Sequence, residues 1–398
     1  MIFVELSKKT SSISSSLTLA LTAKATELKA QGKDVISFGV GEPDFNTPEN
    51  IIKVAINAME NGKTKYTAVS GIVELKEAIV KKLKKDNGLN YSKENIIVST
   101  GAKQCLANVF SAILNPGDEV IIPSPYWISY PELIKLADGT PVFVETSKSN
   151  GFKITKDEIK KVINNNVKAI VINSPNNPTG SVYSKEELED IANIAKEYDL
   201  FIISDEIYEK LIYLDDCKHV SIASLSEDAF NRTIVINGFS KSYSMTGWRI
   251  GYAAGTEKVI KVMNNIQSHT TSNANTITQY AALEALNGPQ NDMNEMIATF
   301  KKRKEKMVKL LDEIEDVSYI EPTGAFYVFI DISEILRKYN IKGSLEFSKM
   351  LLDDKNVVVI PGAAFGLDDY IRLSYATSEE NIEQGVKRIK EFVNNLIQ

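Results

Sequence analysis

The sequence predicts an α/β fold, with a mostly parallel central sheet, helices on both of its faces and a smaller α+β domain. Apolar, strand-like runs alternate with helical patterns between residues 95 and 254, and such β–α repeats form parallel sheets covered by helices. After about Gly288 the alternation gives way to a long charged helix and separate strands. A chain of 398 residues is also too long for one ordinary core, so we expect two domains.

Six short apolar runs predict the strands of the central sheet. Each has five or six residues, is rich in isoleucine, valine or alanine and lies beside turn residues or polar segments, as buried strands do. The predicted strands span residues 95–100, 119–123, 168–173, 200–204, 232–237 and 249–254.

Helical patterns connect these strands. Leu106, Val109 and Phe110 have the spacing of one buried helix face. Ser184-x-x-Glu187 has the capping-box pattern of a helix start. We therefore expect a helix after the first strand and another after the third.

The C-terminal part of the chain has a different pattern. A charged helix is predicted over residues 292–316, and strands over 325–330, 357–360 and 370–374. A last helix is predicted to begin at the capping pattern Thr377-x-x-Glu380. Strands that do not alternate regularly with helices indicate a smaller α+β unit.

Composition argues against several classes of protein. The net charge is −6 with the two signs interspersed, so no basic surface for nucleic acid is predicted. Cys105 and Cys217 form no Cys-x-x-Cys pair, and His219 and His269 lack ligand spacing, so we expect no metal site and a reduced, cytoplasmic setting. No apolar run is long enough for a membrane span, and no signal-peptide pattern is found.

Charged pairs in the helical patterns are predicted to be solvated. Lys81-Lys82, Lys84-Lys85 and Lys301-Lys302 are such pairs, and runs of like charge usually face water.

A lysine and an arginine among small residues carry the chemistry. Residues 238–251 read Gly-Phe-Ser-Lys-Ser-Tyr-Ser-Met-Thr-Gly-Trp-Arg-Ile-Gly. In a pocket, Lys241 can lose its proton and form a Schiff base with an aldehyde, and Arg249 offers a planar cationic fork for a phosphate. An aldehyde with a phosphate describes pyridoxal 5′-phosphate. A surface lysine near a structural arginine is the alternative, which the whole run disfavours.

This run resembles the cofactor-attachment signature of the class I/II, fold-type I aminotransferases. Among them, the chain is most similar to bacterial and archaeal aspartate aminotransferases, a subgroup that includes prephenate transaminases. The resemblance implies a Lys241 aldimine of pyridoxal phosphate and transfer of an amino group from L-aspartate to 2-oxoglutarate, giving oxaloacetate and L-glutamate. It also implies a homodimer with shared active sites. Residues 47–288 would form the large cofactor domain, and residues 1–46 with 289–398 the small domain.

Several alternatives remain open at this stage. The alternative enzymes are an aromatic, alanine or prephenate aminotransferase and a pyridoxal-phosphate lyase on the same fold. A rival from another class is the aminotransferase-like domain of a transcription regulator. The acidic net charge and a fold that begins by about residue 30 disfavour that rival.

Candidate residues for the cofactor ring follow two of the predicted strands, where open α/β sheets bind ligands. The resemblance implies that Asp205 keeps the pyridine nitrogen protonated, an electron-sink arrangement, and that Tyr208 and Asn177 contact the phenolic oxygen. Asn177 would also contact the substrate carboxylate. The alternatives are a helix-capping aspartate with a packed tyrosine, and an ordinary Asn-Pro turn.

Candidate residues for the cofactor phosphate lie at another strand end. A helix start at Gly101-Ala102-Lys103 offers free backbone N–H groups, and Ser240 and Arg249 complete the predicted cradle. Relatives often carry a serine three residues before the lysine, where this chain has Gly238.

Two aromatic residues are also assigned by resemblance. Trp127, after the second strand, is similar to the aromatic residue that stacks on the pyridine ring; its alternative is a core position. Tyr66 is similar to the tyrosine that reaches the phosphate of the neighbouring subunit. Its alternative is a packed interface tyrosine.

The substrate site is predicted from charges and one loop. Arg372 is a charge inside an apolar strand and needs a partner; the family places an arginine here for the substrate α-carboxylate, and a structural ion pair is the alternative. Gly41 lies in a loop similar to the one that closes over the substrate. Lys103 and Thr18 are the candidate residues for binding the side-chain carboxylate of the substrate. Some relatives carry a lysine where this chain has Ser14.

Overall fold

The computed structural model describes residues 7, 9, 11, 13, 17–214 and 218–396. Its helices are α1 (Leu17–Ala30), α2 (Glu49–Glu60), α3 (Val73–Asn87), α4 (Ala102–Ile113), α5 (Ser129–Leu136), α6 (Lys156–Val162), α7 (Lys185–Glu197), α8 (Glu227–Arg232), α9 (Glu257–Thr270), α10 (Thr276–Asn287), α11 (Asn291–Leu311), α12 (Ser333–Lys338), α13 (Ser344–Lys355) and α14 (Glu379–Leu396).

The strands follow the same chain order. They are β1 (Ile36–Ser37), β2 (Ile96–Ser99), β3 (Glu119–Ser124), β4 (Thr140–Glu145), β5 (Val167–Asn173), β6 (Phe201–Asp205), β7 (Thr233–Gly238), β8 (Gly251–Ala254), β9 (Ser318–Tyr319), β10 (Tyr327–Asp331), β11 (Val357–Val358), β12 (Ile360–Pro361) and β13 (Tyr370–Ser374).

The central sheet confirms the predicted α/β class. Within the described part of the chain its strand order is β2-β8-β7-β6-β5-β3-β4. Strands β7, β6, β5, β3 and β4 are parallel to one another, whereas β8 runs antiparallel to both β7 and β2. All six predicted strands are present, and β4 is an additional edge strand that the sequence analysis missed. It carries Pro141 and is largely exposed, a composition typical of an edge.

Helices cover both faces of this sheet, as predicted. In β3, Val120 and Ile122 pack into a core formed with α4 and α9, whereas Ile121 packs into a core formed with α6 and α7. Alternation of side chains along a strand directs neighbours to opposite faces. Because both faces are covered, every residue of β2, β7 and β8 is buried, which explains their uninterrupted apolar sequences.

A second group of strands forms with the C-terminal part of the chain. Antiparallel strands are arranged in the order β12-β13-β10-β9, and β1 pairs with β11 in parallel. Their core includes Phe300 and Met307 of α11 and Ile382 and Phe392 of α14. The pairing of β1 with β11 brings the N-terminal segment against this core, and the division into two domains stays a prediction.

Three predictions for this region need correction. The strand predicted over 357–360 is two short strands, β11 and β12, which belong to different sheets. The helix predicted over 292–316 ends at Leu311. In the last helix the cap lies one residue later than predicted, because the Oγ of Ser378 accepts the backbone N–H of Asn381 at 3.2 Å. The pattern Thr377-x-x-Glu380 indicated the right place but not the right residue.

Other local predictions have mixed outcomes. The capping box of α7 is present: Ser184 Oγ accepts from the N–H of Glu187 at 3.2 Å, and the Glu187 carboxylate accepts from the N–H of Ser184 at 2.7 Å. Lys82, however, does not face water. Its side chain is only 9% exposed and pairs with Glu209.

Among the described helices, none has the length and apolar character required to cross a membrane.

Candidate active site

A cavity of about 500 Å³ opens where the carboxyl ends of the central strands meet the C-terminal sheet. Of the predicted site residues, it is lined by Gly41, Ala102, Lys103, Trp127, Asn177, Asp205, Tyr208, Ser240, Lys241, Arg249 and Arg372. These residues come from distant parts of the chain, and the strand ends bring them together.

Lys241 projects into this cavity just beyond β7. Its Nζ donates a hydrogen bond to the carbonyl oxygen of Gly41 and lies 5.8 Å from the ring centres of Tyr208 and Phe326. Burial lowers the pKa of Lys241 to about 8, with Glu42 opposing the decrease and Arg372 adding to it. A lysine with this pKa has an appreciable fraction of neutral amine near neutral pH, which nucleophilic attack on an aldehyde requires.

Asp205 ends β6 and is buried at the base of the cavity. Its Oδ2 accepts a hydrogen bond from Tyr130 Oη at 2.7 Å, and its Oδ1 accepts from the N–H of Ile207 at 3.2 Å. Burial raises the pKa of Asp205 to about 6, although the Tyr130 hydrogen bond acts in the opposite direction. Near pH 7 the carboxylate is mostly ionised and can pair with a cationic ring nitrogen.

Arg372 is a buried cation in the middle of β13. Its Nη1 donates to Asn177 Oδ1 at 2.9 Å and its Nη2 donates to the carbonyl oxygen of Gly39 at 3.0 Å. Its guanidinium lies 4.3 Å from the ring centre of Tyr327. Within residues 17–214 and 218–396, no carboxylate lies within ion-pair distance of Arg372, and its Nε has no hydrogen-bond partner. A buried guanidinium satisfied only by neutral groups favours an anionic ligand over a structural ion pair.

The predicted phosphate corner is a close approach of two elements. Gly101 precedes α4 with a φ of +84°, and a Cβ there would lie 2.8 Å from Arg249 Nη2. The first amides of α4, at Ala102 and Lys103, lack intrahelical acceptors because they open the helix. A cationic fork beside free N–H groups at a helix start fits a phosphate. Ser240 is buried next to this corner.

Lys103 and Trp127 form the side of the cavity beside this corner. Lys103 Nζ lies 5.0 Å from the Trp127 ring centre, and Trp127 packs edge-to-face on Tyr130 with ring centres 5.3 Å apart. Loss of hydration lowers the pKa of Lys103, and the nearby Arg249 lowers it further.

Two predicted residues lie outside the cavity lining. Gly101 lies against the Arg249 side chain, and Tyr66 is 89% exposed in this single chain. Ser14 and the side chain of Thr18 lie outside the described residues, as does Cys217.

The structure adds residues that sequence analysis missed. Tyr130 bonds Asp205; Asn173 donates to the Asp205 carbonyl oxygen at 3.0 Å and accepts from the N–H of Asn177 at 2.9 Å. Glu42 lines the cavity, and so does Tyr327, which shares a 2.9 Å hydrogen bond with the Tyr208 hydroxyl. Tyr130 and Asn173 lie within a few residues of predicted positions and a strand end, a signal that could have found them. Tyr327 has no such local signal.

Acidic residues behind the cavity belong to a separate buried cluster. Glu206 accepts hydrogen bonds from Ser204 at 2.9 Å and Ser221 at 2.6 Å and is 2.9 Å from His219 Nε2. Glu209 and His219 complete a group with metal-like spacing. Glu209 already pairs with Lys82, however, so a lysine supplies the positive charge there.

A model of the family "Aminotransferase class I and II" matches residues 33–389 of this chain. The chain belongs to that aminotransferase family. This confirms the resemblance seen in the run around Lys241. Aminotransferases of class I and II use pyridoxal 5′-phosphate, which the cavity described above fits: an amine for the aldehyde, a carboxylate for the ring nitrogen and a cationic helix start for the phosphate.

Named relatives support the same assignment over the whole length. The aspartate aminotransferase of Bacillus sp. (strain YM-2) is 52% identical, covering 98% of this chain and 99% of the relative. A probable aspartate/prephenate aminotransferase of Aquifex aeolicus is 48% identical, covering 98% and 99%. Among solved structures, the aspartate aminotransferase of Rhizobium meliloti has a TM-score of 0.94 at 40% identity, covering 98% of this chain and 99% of that chain. That of Thermus thermophilus with maleate has a TM-score of 0.93 at 41% identity, covering 98% and 100%.

Proposed function

We propose that this aminotransferase transfers the amino group of L-aspartate to 2-oxoglutarate, giving oxaloacetate and L-glutamate. One observation carries the proposal: the buried Arg372 guanidinium, without a carboxylate partner among the described residues, shares a cavity with a lysine of lowered pKa. An α-carboxylate bound to Arg372 would place an amino acid beside Lys241. The full-length relatives named aspartate aminotransferase indicate which amino acid.

The proposed cofactor contacts follow from the residues present. Lys241 is the attachment point, Asp205 holds the ring nitrogen, and Tyr208 with Asn177 contact the phenolic oxygen. Trp127 covers the ring. The phosphate is held by residues around the start of α4, namely Gly101, Ala102, Lys103, Ser240 and Arg249. When bound, the cofactor supplies an electron sink for the charge that develops at the substrate Cα.

Lys241 is also the proposed proton carrier. As a free amine, its Nζ would remove the proton from the substrate Cα. Burial lowers the pKa of Lys241 to about 8, which suits a base that acts near neutral pH. Proton transfer by a positioned base accelerates a reaction by roughly 10²–10⁴.

The preference for a dicarboxylate is assigned to the side of the cavity that Lys103 and Trp127 form. Lys103 is the proposed cation for the side-chain carboxylate, since its ammonium group lies at the cavity beside Trp127. Thr18 is proposed as its partner. The solved relative from Thermus thermophilus with maleate, itself a dicarboxylate, agrees with this proposal.

A homodimer in the cytoplasm is also part of the proposal. Tyr66 has 89% of its surface exposed in the single chain, so its ring and hydroxyl are accessible to a second copy. A second copy would bury Tyr66 and bring its hydroxyl toward the phosphate corner of the neighbour.

A screen of amino donors against 2-oxo acid acceptors tests the function. We expect aspartate with 2-oxoglutarate to give the highest kcat/KM, and the Lys241→Ala variant to bind cofactor but lose the absorbance of the lysine-bound form and nearly all turnover. Borohydride should label Lys241 only in the wild-type protein. Higher kcat/KM with aromatic donors, alanine or prephenate would replace the aspartate assignment, and elimination without amino transfer would identify a lyase. Retained turnover in Lys241→Ala would refute the assigned role of this lysine.

A further inference from the structure

Residues 39–47, which we call the strap, form one wall of the cavity. Gly39, Val40, Gly41 and Glu42 line it. At one end of the strap, the carbonyl oxygen of Gly39 accepts from Arg372 Nη2 at 3.0 Å. At the other end, the Thr47 hydroxyl donates to the carbonyl oxygen of Ser244 at 2.7 Å and accepts from Trp248 Nε1 at 2.9 Å. The strap therefore connects the C-terminal sheet to the segment that follows Lys241.

The middle of the strap is held by one arginine of α11. Arg303 donates from Nη1 to Asp44 Oδ1 at 2.6 Å and from Nη2 to Asp44 Oδ2 at 3.0 Å. Its guanidinium lies 5.1 Å from the ring centre of Phe45 and 5.8 Å from that of Phe300. The Arg303 side chain is 10% exposed and that of Asp44 is 32% exposed. Two parallel bonds in a largely desolvated setting fix both distance and orientation.

The pair of Arg303 with Asp44, which we call the clamp, is connected to Lys241 and Arg372 through the strap, although neither residue of the pair lines the cavity. Between Gly39 and Asp44 the strap accepts two hydrogen bonds from these side chains. Arg372 donates to the Gly39 carbonyl oxygen, and Lys241 Nζ donates to the Gly41 carbonyl oxygen. Thr246 donates to the Glu42 carboxylate at 2.6 Å, which fixes a third point. If Asp44 were released, the backbone at each of these positions would become more mobile, because only Glu42 and Pro43 separate Asp44 from Gly41.

We propose that Arg303 is a positioning residue for substrate binding, which acts through Asp44 to hold the strap against Lys241 and Arg372. The inference rests on the proposed function, since it assigns the substrate to that cavity. Because Arg303 belongs to α11, it makes the placement of the strap depend on the core that α11 shares with the C-terminal sheet. If the pair served only to stabilise α11, its loss would change unfolding but not the strap.

The test compares three variants of the holoenzyme with a matched control. Arg303→Gln, Asp44→Asn and the double variant remove the clamp from either side. Arg232→Gln is the control: Arg232 makes a similar two-bond pair with Asp228 at 2.7 and 2.8 Å, with 14% exposure, away from the cavity. We measure KM for aspartate and for 2-oxoglutarate, kcat, and hydrogen exchange of the amides in residues 39–47 without substrate.

We expect Arg303→Gln to raise both KM values on the order of tenfold, with a smaller change in kcat, because substrate must then order a loosened strap. Exchange of the strap amides should become faster. Asp44→Asn should act similarly and add little in the Arg303→Gln background, because the two residues form one unit. Arg232→Gln should change neither KM nor strap exchange.

The opposite pattern would overturn the proposal. It fails if Arg303→Gln and Asp44→Asn leave strap exchange and KM at wild-type values, whatever they do to unfolding. Should Arg303→Gln not fold, Asp44→Asn and Arg303→Lys decide the matter by the same measurements. If the wild-type protein shows no transamination, the proposed function is wrong, and unchanged strap exchange would then refute the role of Arg303 separately.

Discussion

Removal of the Tyr130 hydroxyl should shift the pH range in which the protein binds its cofactor. Tyr130 Oη donates to Asp205 Oδ2 at 2.7 Å inside the core, and both residues are buried. A hydrogen bond to a buried charged group contributes about 1.5–3 kcal/mol. A change of one unit in a pKa corresponds to about 1.4 kcal/mol. Tyr130→Phe should therefore raise the pKa of Asp205 by roughly one to two units.

The sign of the effect follows from which form of Asp205 binds. Burial raises the pKa of Asp205 to about 6 in the wild-type protein, so affinity for the protonated pyridine ring should fall as the pH decreases through 6. In Tyr130→Phe the same decrease should begin between about pH 7 and 8. At pH 7 the ionised fraction would change from roughly nine tenths to between about a half and a tenth, a loss of affinity of roughly two- to tenfold.

Equilibrium binding of pyridoxal phosphate to apoprotein between pH 5.5 and 8.5 measures this change. Tyr183→Phe is the matched control, because Tyr183 is another buried tyrosine whose hydroxyl accepts the N–H of Ile154 at 3.0 Å and lies outside the cavity lining. Its pH profile should match wild type. If Tyr130→Phe gave the wild-type profile, or lost affinity equally at every pH, the hydrogen bond would not control the charge of Asp205.

Two further changes test the phosphate corner and the side of the cavity beside it. Gly101→Ala should destabilise the protein by about 1–2 kcal/mol because of its positive φ and should also weaken cofactor binding, since the new Cβ would lie 2.8 Å from Arg249 Nη2. Gly117→Ala is the control, because Gly117 has a φ of +96° but no atom lies within 4 Å of the new Cβ. Denaturant unfolding should show a similar loss of stability in this variant, whereas cofactor titration should show no loss of affinity. Equal cofactor affinity in both variants would exclude the phosphate role of Gly101. Lys103→Ala should raise the KM for aspartate on the order of tenfold, as expected when a charge partner is lost, without changing that for alanine, and an unchanged aspartate KM would remove Lys103 from the substrate site.

Residues assigned by local sequence were predicted more completely than those defined by tertiary contacts. Lys241 was found from the run of small residues that contains it and Arg249, and Asp205 from the apolar strand that precedes it. The Asp205–Tyr130 bond joins residues 75 apart and the Tyr208–Tyr327 bond residues 119 apart, and no pattern in one sequence links such pairs.

The same physical reason explains the wrong predictions. Lys82 was assigned to water because its own helix is highly charged, but its partner Glu209 comes from another element. Residues 357–360 form one apolar run, yet the pairing partners on either side divide it between two sheets. In both places the decision is made by neighbours in space, which local pattern does not contain.

The reversed direction of β8 explains why one short stretch of sequence identifies the family. In an all-parallel sheet the chain would cross to the opposite edge, usually through a helix, before it entered the next strand. Strand β8 runs antiparallel to β7, so the connection over residues 239–250 leaves and re-enters the sheet at the same edge, and Lys241 near its start and Arg249 near its end remain at that edge. The proposed anchor for the aldehyde and the proposed anchor for the phosphate are therefore only eight residues apart, and one short motif contains both.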